Sequence, residues 1–171
     1  MNWIDRLSTG WKAWVLLFAL TMTAAAPGVF NLPALDRDES RFAQASKQYL
    51  ETGDYITIRY QDEYRNKKPA GIHWLQAGAT AAFGEGENLD VWTYRVPSWI
   101  GAGLATLACF WLGIAAIGRQ GAFIGAALFG SSLLLTSEAH ISKTDGVLVF
   151  LITMAMGCLL RLYLRKDNDK R

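Results

Sequence analysis

Two cysteines and two histidines are all that 171 residues offer of thiolate and imidazole metal ligands. Cys109 and Cys158 both lie inside apolar runs, where a free thiol packs as a small hydrophobe, and His73 and His140 are far apart in the chain. Neither a disulfide framework nor a cysteine-based zinc site follows from them. Proline is scarce at four residues, and there is no internal repeat or low-complexity segment. The largest gap is in charge, which is missing from residues 13–35, 96–118, 121–137 and 146–160. A bilayer core needs roughly 20 apolar residues of helix, with about 17 as the practical minimum. The first two runs meet that length and the last two do so with their flanks. The expected fold class is therefore an all-α polytopic membrane protein. Its transmembrane helices are expected near 13–33, 96–117, 120–137 and 145–164, with one long outer loop over about 34–95.

What is present supports that division. Hydrophobic residues make up 51% of the chain and include seven tryptophans, but they come in blocks. Arg6 and Lys12 ahead of the first block resemble the start of a secretory signal. The segment "TAAAPGVFNL" stays apolar past any small-residue cleavage site, which favours a retained helix. With a cytoplasmic N-terminus, the short inner elements carry Arg6, Lys12, Arg119, Arg161, Arg165, Lys166, Lys170 and Arg171. Lys143 is then the one basic residue of the short outer loop. That is the positive-inside asymmetry, and it reads as an inner-membrane protein whose long loop faces the periplasm. The net charge of +2 is explained by topology, and the mixed-sign tail "RLYLRKDNDKR" by anionic lipid headgroups, so no nucleic-acid partner is implied.

The long loop holds most of the remaining polar chemistry. From Asp38, "DESRFAQASKQYLETGD" places Phe42, Ala45, Ser46 and Tyr49 on one helical stripe, opened by acidic residues and closed by Gly53. "YITIRYQ" predicts a short extended piece and "DEYRNKKPA" a turn, with Pro69 suited to the first turn of the next helix. "GIHWLQAGATAAFG" then predicts a second helix with Ile72, Leu75, Gln76, Ala79 and Phe83 on its apolar face. Both helices are too short to span and are expected to lie along the membrane surface.

Three side chains in these outer segments are candidates for chemistry. Asp36 and Glu39 are accounted for as carboxylates complementing a helix N-terminus. Asp38 has a stronger claim, because its helix starts close to the membrane exit, where dehydration raises a carboxylate toward a useful base. Lys68 precedes a helix N-terminus at the interface, a place suited to holding a phosphate. Asp145 stands at the outer end of the fourth apolar block, where its alternative role is a helix cap. The charge-derived topology puts Asp38, Lys68 and Asp145 on the same membrane face.

The order "RDESRFAQASKQYLETGDY", "NKKPAGIHWLQA", "R.PSW" and "AHISKTDGVLVF" resembles the N-terminal part of the bacterial polytopic C-type glycosyltransferases. That family includes the aminoarabinose transferases acting on lipid A and is related to the protein O-mannosyltransferases. The resemblance runs from about Leu32 to the end and rests on the order and spacing of the pieces. It implies inverting transfer of a sugar from a polyprenyl-phosphate donor to a lipid, polysaccharide or protein acceptor at the periplasmic face. By position, Asp38 would be the base for the acceptor hydroxyl and Asp145 would complete the catalytic site. Lys68 would meet the donor phosphate, with Arg41 and Glu39 beside it as substrate-binding side chains. The chemistry is consistent with these residue types, since a hydroxyl attacking an anomeric carbon must lose its proton and the departing phosphate must have its charge neutralised.

Two departures bear on that expectation. A divalent metal is an option in the family, but Lys67 stands where relatives often carry an acidic residue, so no cofactor is assigned. Relatives are also several times longer, so these residues are expected to form the N-terminal portion of such an enzyme and not to catalyse alone. The alternative is a non-catalytic membrane subunit that binds a polyprenyl-phosphate lipid. A proton-coupled transporter is weaker, because the apolar blocks hold almost no ionisable groups.

Overall fold

Left-handed glycines and paired serines punctuate an otherwise nearly continuous run of helix. The computed structural model describes residues 3–34, 37–65, 68–84 and 90–168. A short helix α1 (Trp3–Ser8) leads into α2 (Gly10–Asn31), the break being made by Gly10 at φ +67°. The loop that follows contains α3 (Arg37–Thr52), a minimal antiparallel hairpin of β1 (Arg59–Tyr60) and β2 (Glu63–Tyr64), and α4 (Ala70–Phe83). Next come α5 (Val91–Gly130), α6 (Leu133–Ala139) and α7 (Asp145–Asn168). Three helices are long and apolar enough to cross a membrane, over Gly10–Asn31, Val91–Gly130 and Asp145–Arg165. The chain is an all-α, multi-pass membrane protein.

The expected single crossing over 120–137 is not one helix. Gly118 adopts φ +79°, a left-handed conformation that glycine reaches without steric cost, and there α5 reverses direction. Residues 119–130 return alongside 91–117: Gly113 faces Ala122, and Gly130 faces Thr106 and Thr21. At Ser131 and Ser132 the helix breaks again. Their hydroxyls donate to Ala127 O (2.8 Å) and Phe129 O (2.8 Å), while Ser132 Oγ also accepts from Leu135 N at the start of α6. Serine side chains compete with the backbone ladder in this way, which an apolar-run count does not register.

Small residues let the long helices approach closely. A Cβ at Gly146 would lie 2.5 Å from Ser98 O, and one at Gly101 would lie 2.8 Å from the Gly146 carbonyl carbon, so α5 and α7 meet backbone to backbone there. Farther along, Gly157 admits the Trp111 ring, and Arg161 donates to Trp111 O (2.8 Å) while its guanidinium stacks 4.2 Å from that ring. Between α2 and α5, Ala13, Leu17, Phe110, Ala122 and Ala126 form an apolar core, and Thr21 and Thr106 share a buried hydroxyl bond at 2.9 Å. A bond of that kind between membrane helices is worth about 0.6 kcal/mol.

The loop has a core of its own, built from Ala45, Tyr49, Ile58 and Ala77. The predicted stripe of α3 is the buried one, with Phe42, Ala45, Ser46 and Tyr49 all inside. On α4 the predicted face is displaced by one residue. Ile72, His73, Gln76, Ala77 and Thr80 are buried, whereas Leu75 and Phe83 are exposed. The cause is polar: His73 and Gln76 find hydrogen-bond partners inward, so their side of the helix turns to the core. Leu75, Ala79 and Phe83 instead line an apolar groove of about 550 Å³ with Val96, Ile100 and Phe150 of α5 and α7.

Candidate functional site

The C-terminal end of α2 lacks the glycine that usually closes a helix; Leu32 follows in an extended conformation. Its last carbonyls are orphaned by geometry and need donors. Arg95, fully buried near the start of α5, supplies them. Its Nη1 donates to Gly28 O (3.3 Å), Val29 O (3.0 Å) and Leu32 O (2.7 Å), and its Nη2 to Pro33 O (2.9 Å). The cation also complements the negative end of the α2 dipole. Its charge is balanced by Glu39 in the first turn of α3, with Nε to Oε1 at 2.6 Å and Nη2 to Oε2 at 3.1 Å. Both side chains are about 1% exposed. Removing one partner from such a pair costs about 3–5 kcal/mol, because the other charge stays buried and uncompensated.

A second buried network lies beside it. Ser46 Oγ donates to Gln76 Oε1 (2.7 Å) and therefore accepts from His73 Nδ1 (2.9 Å), which sets the imidazole tautomer. Gln76 Nε2 donates to Ser142 Oγ (2.9 Å). Burial, with a smaller contribution from the Arg65 guanidinium, pushes the His73 pKa down to about 4, so the ring is neutral at ordinary pH. Ser142 joins the two networks, since its backbone N–H donates to Glu39 Oε1 at 3.2 Å. Ser98 Oγ donates to Lys143 O (2.9 Å), so α3, α4 and α5 all grip the segment that leads into α7.

Around this polar core the sequence candidates are distributed unevenly. Asp38 lies in the first turn of α3 with its side chain 52% exposed, and Arg41 Nη1 approaches its Oδ1 at 3.7 Å. Arg41 also stands over the Tyr60 ring, 5.9 Å from its centroid. Lys68 is exposed immediately ahead of Pro69, the N-cap of α4. Asp145 is the first residue of α7, partly buried, and accepts from Thr144 Oγ1 at 3.3 Å. Glu39, next to Asp38, reaches the Ser142 N–H three residues before Asp145, and Gln76, eight residues beyond Lys68, reaches the Ser142 hydroxyl. Glu39 departs from the expectation. Its carboxylate is about 1% exposed and accepts from Arg95 Nε and Nη2 and from the Ser142 N–H. Asp36 and Lys67 lie outside the described residues.

Arg95, His73, Gln76 and Ser142 had no assigned role from sequence. The one available signal was Arg95, a lone charge at the mouth of an uncharged run, where an ionised side chain must have partners. Among the described residues, no group of three or more His, Cys, Asp or Glu side chains is placed to hold a metal ion. Cys109 is half-buried and Cys158 exposed, both as free thiols.

No family model matches the chain, and no solved structure matches it significantly. Curated proteins do. The chain is 25% identical over 135 residues to undecaprenyl phosphate-alpha-4-amino-4-deoxy-L-arabinose arabinosyl transferase 2 of Pseudomonas fluorescens, covering 78% of this chain and 24% of that protein. It is 34% identical over 110 residues to the corresponding arabinosyl transferase of Pseudomonas savastanoi pv. phaseolicola, covering 63% of this chain and 20% of that one. An uncharacterized protein of Aquifex aeolicus is 28% identical over 143 residues, 82% of this chain and 33% of its own. The chain spans about a quarter of the length of the first of these relatives.

Proposed function

We propose that the chain, which is similar to curated aminoarabinose transferases, belongs to that membrane glycosyltransferase family and forms the donor-handling end of an inverting transferase. The donor is a sugar on a polyprenyl phosphate, and the acceptor is a hydroxyl presented at the periplasmic face of the inner membrane. In this reading Asp38 takes the proton of the acceptor hydroxyl as its oxygen attacks the anomeric carbon. The bond from that carbon to the phosphate oxygen breaks, and the phosphate departs with the electron pair. Lys68 neutralises the charge that develops on it, Arg41 orients Asp38, and Asp145 completes the site. The basic residues of the short segments and tail orient the chain so that these helix starts face outward.

The observation that carries the proposal is the contrast between adjacent residues. Glu39 is sealed into the scaffold at 1% exposure while Asp38, one position earlier, is 52% exposed at the same membrane-exit end. Asp38 thus rides on a turn anchored by its neighbour, with its own carboxylate half-exposed. In the complete transferase, Asp38→Asn is expected to lower sugar transfer about 100- to 10,000-fold, the usual worth of a general base, with membrane insertion unchanged. Normal transfer by that variant would remove the base assignment.

A further inference from the structure

We infer that Arg95 and Glu39 are positioning residues, a clamp that sets the separation between the Asp38 turn and the Asp145 turn. The inference rests on reading those two aspartates as parts of one reacting site. The two turns are more than a hundred residues apart in sequence and are carried by different helices, so some bond must set their relation. The Glu39 carboxylate provides it: Oε1 accepts from Arg95 Nε and also from the Ser142 N–H, three residues before Asp145. Adjacent positions on a helix point about 100° apart. Glu39 can therefore face inward as a strut while Asp38 faces out.

Arg95 anchors the strut. A guanidinium offers five N–H donors in a planar fork, and here they are engaged by the Glu39 carboxylate and by four carbonyl oxygens at the end of α2. The end of α2, the start of α3 and the entry to α7 are consequently referred to one rigid planar group. A lysine would supply the charge but not the fork. A carboxylate at position 95 would face carbonyl oxygens with nothing to donate. The arrangement is thus directional, which distinguishes it from an ion pair whose members could be exchanged. Gln76 and Ser98 hold the same α7 entry from α4 and α5, so the strut acts on a segment that is already backed on two sides.

The test is a distance measurement that needs no turnover. Spin labels are placed at Arg37→Cys and Thr144→Cys, in a Cys109→Ala/Cys158→Ala background of the full chain in lipid nanodiscs, and read by pulsed electron resonance. The unaltered clamp is expected to give one narrow distance distribution. Glu39→Asp keeps the charge, so the protein still folds, but it is one methylene too short to reach both Arg95 and Ser142; a broadened distribution is expected. The exchange Glu39→Arg/Arg95→Glu is expected to leave the distribution broad. A narrow, unshifted distribution in Glu39→Asp, or its restoration by the exchange, overturns the clamp. Transfer by the complete enzyme separates this from the reading on which it rests. Broadening with a fall in kcat and little change in donor KM supports both. Broadening with normal transfer leaves the clamp standing and removes the roles of Asp38 and Asp145.

Discussion

Acid should loosen the outer loop through one residue. His73 sits in the interface of α3 and α4 with its Nδ1 on Ser46, and its pKa is pushed from 6.5 down to about 4, chiefly by burial and secondarily by Arg65. A histidine of pKa 6.5 in the opened loop binds a proton before the same residue does in the closed one. The stability it reports is therefore fully present above pH 6.5 and is lost as pH falls toward the folded value. Taking those two values, the closed loop loses about 2 kcal/mol between pH 7 and pH 5, and about 3 kcal/mol by pH 4. The first figure corresponds to a roughly thirty-fold rise in the population of the opened loop. Because the chain has only two histidines, imidazole 15N resonances of the protein in nanodiscs report His73 with a single neighbour to assign. Hydrogen exchange of the α3 and α4 peptides, normalised for the intrinsic pH dependence, reports the opening itself. His73→Asn keeps an N–H donor in the Nδ1 position and cannot titrate, so its exchange is expected to be flat over that range. A His73 resonance that titrates near 6.5, or an equal acid slope in His73→Asn, would refute the reasoning.

Two further expectations concern packing and polar satisfaction. Gly146→Ala brings a Cβ to 2.5 Å from Ser98 O, a backbone atom that cannot swing aside, whereas Gly125→Ala meets nothing within 4 Å. The first is expected to destabilise by about 1–3 kcal/mol and the second to be neutral or slightly stabilising, read by thermal unfolding in detergent. Ser46→Ala leaves both the His73 Nδ1–H and Gln76 Oε1 without their buried partner. It should cost about 1–3 kcal/mol, measured as faster hydrogen exchange in α3; unchanged protection would show that the network carries no stability.

Much of the loop was legible in local pattern. The stripe Phe42, Ala45, Ser46 and Tyr49 is buried as its spacing predicts, because α3 packs one face on α4 and no long-range partner overrides that face. On α4 the same reasoning slipped by one residue. Periodicity weighs apolar side chains, and it had no means of knowing that His73 and Gln76 would find Ser46 and Ser142 inside. Leu75 and Phe83 were left to line a groove against α5 and α7 instead. Glu39 shows the same limit at the site. A carboxylate in a first helical turn is adequately explained by the dipole, and nothing local distinguishes it from Asp38.

The sequence by itself determined the membrane class, the loop between the first and second long apolar runs, and the placing of Asp38, Lys68 and Asp145 at helix starts. These follow from chain length against bilayer thickness and from capping chemistry, both of which act over a few residues. Only the tertiary structure decided that 119–139 runs back as two helices, and that Arg95 closes α2. It alone decided that Glu39 is buried against Arg95 while Asp38 is half-exposed. The first turns on Gly118 and on serine hydroxyls that bond three and four residues back, which an apolar-run count does not weigh. The other two depend on a donor meeting acceptors more than fifty residues away, and the geometry of such a meeting is written in the packing of helices and not in any window of the chain.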